Sequence, residues 1–171
     1  QAIKRIGGTL ALSLLSKSAH ALQDDSTARP RIRIGQIGVG HAHANKLTAY
    51  RKSPDYEVVG IVEPNAELRK QAEVQEPFRD LPWMTQEELL NVSGLKAVLV
   101  ETHVRDLPTV AETCVAAGKH VHVDKPAGES LEQFARILGS TAHQKLLLQM
   151  GYRYRYNPAI VLLRDFLKRG W

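Results

Sequence analysis

Short apolar runs alternate with amphipathic segments along the chain from residue 32 onward. The apolar runs, rich in Val, Ile and Leu, predict β-strands at 32–37, 57–62, 97–100, 120–123 and 146–150. Helix-type spacing and capping residues predict six helices. Two of them cover 42–52 and 66–76, and a third ends at Gly118. The other three begin at Thr85, at Ser130 and at Asn157-Pro158. Strands that alternate with helices are typical of a parallel sheet covered on both faces, so the pattern predicts a doubly wound α/β fold.

Two of the predicted helices have a recognisable apolar face. The first face consists of Leu107, Val110, Ala111, Cys114 and Val115. The helix that begins after Ser130 is expected to bury Leu131, Phe134, Ala135 and Leu138. Cys114 is the only cysteine, which excludes an intrachain disulfide and favours a buried structural thiol over a nucleophile.

The first 30 residues do not continue this pattern. Residues 1–21 run from basic residues through a short apolar stretch to Ala19-His20-Ala21, which predicts the remnant of an export signal. The segment resembles the end of a twin-arginine motif and indicates an exported, periplasmic protein; the alternative is an amphipathic helix on a cytoplasmic protein. The apolar stretch is too short to span a bilayer. Residues 22–30 are polar, end in Pro30 and predict a linker.

Composition places the chain among ordinary globular proteins. Of its 171 residues 43% are hydrophobic and 24% are charged, which argues against a disordered chain. The net charge of +5 is mild and dispersed, so a nucleic-acid partner is not expected.

Gly38 and Gly40 stand between the first predicted strand and the first predicted helix. Glycines at this place allow a sharp turn and a close approach of phosphate to the amides at the helix N-terminus. The pair therefore indicates a dinucleotide pyrophosphate site, with an ordinary strand–helix turn as the alternative. His43 occupies the third position of the G-x-G-x-x-G pattern, where a glycine normally permits close packing.

Glu63 follows the second predicted strand, 25 residues after Gly38. An acid at this place accepts hydrogen bonds from the adenosine ribose hydroxyls and repels a 2′-phosphate. The sequence therefore favours NAD over NADP, and a solvated acid in a turn is the alternative.

The segment from Gly118 to Gly128 provides the most specific motif. Its Gly118-Lys119-His120-Val121 and Asp124-Lys125-Pro126 stretches, together with the glycine pair and the segment 151–160, resemble the Gfo/Idh/MocA family of oxidoreductases. The resemblance implies a nucleotide-binding Rossmann domain over 31–152 and a crossover helix over 153–171. It also implies a second, α+β substrate domain that is absent from these 171 residues.

The family further implies roles for individual residues. Lys125 would lie beside the nicotinamide and hold or deprotonate the substrate hydroxyl, while a cis Pro126 would aim it inward. The remaining residues implied to bind the cofactor are His41, Thr102, Asp124 and Pro126. The implied reaction is hydride transfer between nicotinamide and a secondary alcohol of a sugar, polyol or related compound, with a partner acid or base and an oligomer interface in the second domain.

Two departures from the family pattern limit this transfer of roles. Asp124 stands where the family usually has Glu, and after Thr102 the usual Pro-Asn and later His are missing, with Leu107 in the His position. Cofactor contacts from this loop are therefore expected only from Thr102, with Glu101 and His103 as weaker candidates.

Two other functions stay open at this stage. A nucleotide-binding module without catalysis would share the glycine loop and Glu63. A metal hydrolase would use the pairs His41-x-His43 and His120-x-His122, but such barrels need about 250 residues, so no metal is expected. The chain alone is expected to bind NAD weakly and not to turn over.

Overall fold

A five-stranded parallel sheet forms the middle layer of the structure, a computed structural model that describes residues 30–171. The strands are β1 (Ile32–Ile37), β2 (Tyr56–Val62), β3 (Leu95–Val100), β4 (His120–Val123) and β5 (Leu148–Met150). The helices are α1 (Leu47–Lys52), α2 (Ala66–Glu73), α3 (Gln86–Leu90), α4 (Leu107–Ala116), α5 (Leu131–His143) and α6 (Pro158–Lys168), with 3-10 turns at Ala44–Lys46 and Arg153–Tyr156. The predicted export segment and the predicted linker up to residue 29 lie outside the described residues.

The strand order is β2-β1-β3-β4-β5, and every neighbouring pair is parallel. The chain moves from β1 to β2 on one side and then crosses to β3 on the other side of β1. A topological switch point therefore lies between the carboxyl ends of β1 and β3, where Ile37 pairs with Val100. Ligands of open α/β sheets bind in the crevice at such a point. The prediction of a doubly wound parallel sheet is confirmed.

Apolar side chains fill both faces of the sheet. One layer lies between the sheet and helices α4 and α5, and it contains Val98, Val100, Leu107, Cys114 and Ile137. The other layer lies on the opposite face and contains Ile34, Leu47, Ile61, Phe78 and Leu99. Cys114 is fully buried, and this burial raises the pKa of its thiol to about 12. The prediction of a structural thiol therefore agrees with its surroundings.

Side-chain caps begin several helices as predicted. The Asn65 carboxamide accepts hydrogen bonds from the second and third N–H groups of α2. Thr85 forms a complete capping box with Glu88, and Ser130 accepts from the Gln133 N–H at the start of α5. Asn157 caps α6, whose first residue is proline. These ends depend on short-range contacts, which explains why the sequence predicts them.

Two predicted helices differ from the structure. The predicted helix over 42–52 begins only at Leu47, because residues 42–43 form a turn and Ala44–Lys46 a 3-10 turn. Within this turn the His43 N–H donates to the Nδ1 atom of the His41 ring at 3.2 Å. In α5, Leu131 is 83% exposed and Leu138 is 44% exposed. The predicted buried face of α5 was wrong: Ile137 and Thr141, one turn apart, are its buried residues.

Helix α6 has an apolar surface that is exposed to solvent. None of its residues is buried. Its exposed apolar side chains are Ile160, Val161, Leu162, Leu163, Phe166 and Leu167. Among residues 30–171, no helix has both the length and the apolar character that crossing a membrane requires.

Candidate functional site

The glycine loop fits tightly against the end of β3. Gly38 has a φ of +93°, and a Cβ atom built on it would lie 2.5 Å from the Thr102 nitrogen and 2.6 Å from the Glu101 carbonyl carbon. Its N–H donates to the carbonyl of Val62 at 2.8 Å, so the loop is held between β2 and β3. Only glycine satisfies both the left-handed backbone and the close approach.

Backbone amides of this loop remain available. Within residues 30–171, the N–H groups of Gly40 and Ala42 have no hydrogen-bond partner, whereas the His41 N–H donates to the Glu101 carbonyl at 3.0 Å. A Cβ atom on Gly40 would lie 3.2 Å from the His103 ring, which covers the loop from the β3 side. Free amides in a tight turn at the carboxyl edge of a sheet form an anion-binding concavity.

Glu63 lies directly beside the same loop. Its carboxylate accepts hydrogen bonds from the Val39 N–H and the Asn65 N–H, both at 2.9 Å. These bonds orient the half-buried carboxylate at the carboxyl end of β2, as predicted for a group that accepts from ribose hydroxyls.

A cleft of about 910 Å³ extends from the loop over the ends of β2 and β3. Gly40, Glu63 and Thr102 line it, and Trp83 forms part of its wall with the Arg69 guanidinium 5.3 Å from the ring centre. The cleft has the size of known cofactor sites, about 300–1,000 Å³. Three of the predicted cofactor residues therefore share one cavity, and Gly38 lies two residues before Gly40 in the same loop.

The Asp-Lys-Pro segment follows β4 on the other side of the switch point. The Asp124 side chain is buried, and its Oδ1 atom accepts the Lys125 N–H at 2.6 Å. The Lys125–Pro126 peptide is cis, and both residues are exposed. The Lys125 side chain is therefore open to solvent at this edge of the sheet.

His41 links the glycine loop to this segment. Its Nδ1 atom accepts the His43 N–H, so Nε2 carries the ring proton and donates to the Lys125 carbonyl at 3.2 Å. Burial lowers the pKa of His41, which keeps the imidazole neutral in this role. The structure thus brings the predicted residues His41, Asp124, Lys125 and Pro126 together.

Lys46 lies at the centre of a polar cluster that the sequence did not predict. Its ammonium is 2.8 Å from the Glu101 carboxylate and 2.9 Å from the Nε2 atom of His122, and it also donates to Asp124. Glu101 directly follows β3, His122 lies in β4 and Asp124 directly follows β4, so the three side chains meet at the carboxyl edge of the sheet.

The protonation states of this cluster follow from burial and from Lys46. Burial raises the pKa of Glu101 to about 7, although Lys46 lowers it in part. Burial and then Lys46 lower the pKa of His122 to about 4. For Asp124, burial acts upward, but hydrogen bonds from Lys46, His43 and the Lys125 N–H outweigh it and lower the pKa to about 2. Asp124 is therefore ionised and His122 neutral at pH 7.

Among the residues that the structure describes, two overlapping groups of side chains offer metal-type donors: His41, His43 and Asp124, and Glu101, His122 and Asp124. In the second group the Lys46 ammonium already contacts each member. In the first group the His41 Nε2 atom is bonded to the Lys125 carbonyl. A divalent cation would have to displace these contacts and approach a lysine ammonium, so the residues fit a hydrogen-bonded network better than a metal centre.

A comparison with protein families identifies most of the described region. Residues 32–152 match the model of an oxidoreductase family with an NAD-binding Rossmann fold. The chain is 32% identical over 137 residues to UDP-N-acetylglucosamine 3-dehydrogenase of Acidithiobacillus ferrooxidans, which covers 78% of this chain and 41% of the relative. The chain thus spans about two fifths of the length of the curated relatives it matches.

Solved structures show the same fold. KijD10, a 3-ketoreductase from Actinomadura kijaniata solved with TDP-benzene and NADP, superposes with a TM-score of 0.70 at 26% identity, over 82% of this chain and 44% of that chain. The WlbA dehydrogenase from Bordetella pertussis, solved with NADH and UDP-GlcNAcA, gives a TM-score of 0.71 at 24% identity, over 82% and 43% of the two chains.

Proposed function

This chain belongs to the Gfo/Idh/MocA oxidoreductase family, and from that membership we propose that it binds NAD in the 910 Å³ cleft as part of a sugar or polyol dehydrogenase. The reaction is reversible hydride transfer between the nicotinamide and a secondary alcohol carbon. The observation that carries the proposal is Gly38, whose positive φ and lack of space for a Cβ atom leave the amides of the loop open to a phosphate.

The residues around the cleft fit a dinucleotide. The free N–H groups of Gly40 and Ala42 would hold the pyrophosphate, and Glu63 would accept from the ribose hydroxyls. Lys125 would donate a hydrogen bond to the reacting hydroxyl of the substrate. NAD, when bound, supplies the hydride acceptor, and the protein supplies orientation and charge.

Glu63 supports NAD over NADP. A carboxylate at the end of β2 accepts from two ribose hydroxyls, but it repels a phosphate on the 2′ position. Its orientation by Val39 and Asn65 keeps it at the rim of the cleft. NADPH is therefore expected to bind more weakly than NADH.

The relatives support the substrate class. The relative at 32% identity is a dehydrogenase of UDP-N-acetylglucosamine, and the structure at 26% identity is a 3-ketoreductase. Both names describe a hydroxyl–ketone conversion. We propose the same conversion for this chain, on a substrate ring that bears several hydroxyl groups. The proposal names this class of substrates and no individual compound.

Further properties of the whole protein belong to the proposal. We infer export through the segment 1–21 and a homo-oligomeric full-length protein whose substrate domain follows the helix of residues 153–171. The exposed apolar face of α6 is consistent with such a neighbour. The 171 residues alone are expected to bind the cofactor weakly without turnover.

Fluorescence titrations test the proposal. NADH added to the chain is expected to quench Trp83, which lines the cleft, and NADPH is expected to do so only at higher concentration. No NADH binding together with stoichiometric zinc would support a metal hydrolase instead. In the intact gene product, Lys125→Met is expected to retain NADH binding and lose dehydrogenase activity, whereas unchanged function would indicate a non-catalytic nucleotide-binding module.

A further inference from the structure

His43 occupies the position where the dinucleotide motif has a packing glycine, and the structure gives its side chain a different task. The ring turns towards β4, where its Nδ1 atom lies 3.1 Å from the Oδ1 atom of Asp124. Since an ionised carboxylate only accepts hydrogen bonds, Nδ1 carries the ring proton and Nε2 has a free lone pair. Among the side chains that the structure describes, none forms a hydrogen bond to this Nε2 atom.

The carboxylate that orients His43 is itself fixed. Lys46 and the Lys125 N–H donate to Asp124, and Gly151 leaves room for it, because a Cβ there would lie 2.9 Å from the Asp124 Oδ2 atom. A buried carboxylate that orients an imidazole through Nδ1 and stabilises the imidazolium form is the arrangement that makes histidine a base in serine hydrolases.

The His43 side chain borders open space near Lys125. His43 and Lys125 line one cavity of about 250 Å³ together with Gly151 and Tyr152. The His43 side chain is 25% exposed, so a small molecule in this cavity reaches it. His41 differs, because its Nδ1 atom already accepts the His43 N–H and its Nε2 atom already donates to the Lys125 carbonyl.

We propose that His43, oriented by Asp124, is a catalytic base of the dehydrogenase reaction and complements Lys125 within this domain. The inference rests on the proposed function. As the carbinol C–H bond breaks and its hydride reduces NAD⁺ to NADH, the O–H proton passes to the Nε2 atom of His43 and the carbonyl forms. Lys125 donates a hydrogen bond to the same oxygen and stabilises its negative charge. In the reverse direction the His43 imidazolium returns the proton to the carbonyl oxygen.

The test uses the intact gene product with NAD⁺ and two probe substrates, UDP-N-acetylglucosamine and myo-inositol. His43→Gly restores the usual residue of the motif and is therefore expected to fold. It is expected to lower kcat by about 10²- to 10³-fold and leave the Kd for NADH within about twofold. Added imidazole is expected to raise the kcat of His43→Gly at least about tenfold. His143→Ala, at the exposed end of α5, is the control that imidazole does not affect.

Chemical footprinting decides the matter if neither probe is oxidised. Diethyl pyrocarbonate is expected to modify His43 at Nε2, and saturating NADH is expected to protect it. Each of three results would overturn the inference: a kcat for His43→Gly within threefold of the wild type, a loss of rate without imidazole rescue, or no protection of His43 by NADH. Zinc bound stoichiometrically by the wild type and lost in His43→Gly would also overturn it. If the wild type does not bind NADH at all, the proposed function itself fails, which is a distinct result.

Discussion

Replacing Glu101 by glutamine keeps the shape of a buried side chain and removes its charge, and we expect the folded chain to gain stability above pH 7. The pKa of Glu101 is raised from 4.5 to about 7, chiefly by burial. Well below pH 4.5 the carboxyl group is protonated in both the folded and the unfolded chain, so it does not change the free energy of unfolding. As the pH rises from 4.5 to 7 the unfolded chain releases this proton while the folded chain retains it, and stability falls.

The magnitude follows from the size of the pKa change. A rise from 4.5 to about 7, at about 1.4 kcal/mol for each pH unit, amounts to about 3 kcal/mol. In a protein of 150–250 residues this corresponds to roughly 6–12 °C in Tm. In the wild type this loss of stability with rising pH is masked by His122. Because the pKa of His122 is lowered from 6.5 to about 4, His122 makes the folded chain less stable as the pH drops through this range. The observable is therefore the difference between Glu101→Gln and the wild type.

Thermal unfolding followed by circular dichroism at pH 4.5 and pH 8 measures this difference. The Tm of Glu101→Gln is expected to lie within about 2 °C of that of the wild type at pH 4.5 and to exceed it by roughly 6–12 °C at pH 8. The exposed Glu129→Gln serves as the control and is expected to leave Tm unchanged at both values. An equal offset at both pH values, or a Glu101→Gln variant that is less stable at pH 8, would refute the reasoning, because the ion pair with Lys46 would then outweigh burial.

Three further predictions concern the loop, the acid and the thiol. Gly38→Ala places a methyl group 2.5 Å from the Thr102 nitrogen in a left-handed backbone, so it should lose about 2–4 kcal/mol in urea unfolding and lose NADH quenching; Gly139→Ala, where nothing lies within 4 Å, should do neither. Glu63→Gln removes the charge that repels a 2′-phosphate, so the ratio of the Kd for NADPH to that for NADH should fall roughly fivefold, about 1 kcal/mol; an unchanged ratio in paired titrations contradicts this. The Cys114 thiol is fully buried with a pKa raised to about 12, so Ellman's reagent should react with it only in urea; rapid reaction of the folded chain would show that the α4 face opens.

The sequence predicted those features of the fold that depend on short-range signals. Thr85, Asn157 and Ser130 lie where caps begin helices, and each side chain makes its bond within three residues. The buried face of α5 was wrong because apolar residues were assumed to point inward. Leu131 and Leu138 are apolar and exposed, and this cannot be known from periodicity alone when a helix has apolar residues on two sides.

The candidate site was predicted in part for a related reason. Gly38 and Glu63 were found because the motif fixes their positions relative to strand ends. The cluster around Lys46 was missed because its residues come from the 3-10 turn Ala44–Lys46 and from the ends of β3 and β4. Only the register of the sheet brings these parts of the chain together. One signal was available: Glu101 is an acid that directly follows a fully apolar strand end, and such a residue is buried only when a cation accompanies it.

The all-parallel sheet has a consequence for how the protein acquires its site during folding. Paired strands are distant in sequence: Ile32 pairs with Tyr56, Arg33 with Leu95, and Val121 with Leu148. Parallel pairs form only after a long crossover has closed, and chains dominated by such distant contacts fold slowly. The glycine loop and Asp124 are more than 80 residues apart in the sequence. During synthesis, most of this domain must therefore have left the ribosome before these residues can come together. Recovery of cofactor fluorescence during refolding would therefore report the assembly of β1 to β4, whose ends carry these residues, rather than the formation of any one helix.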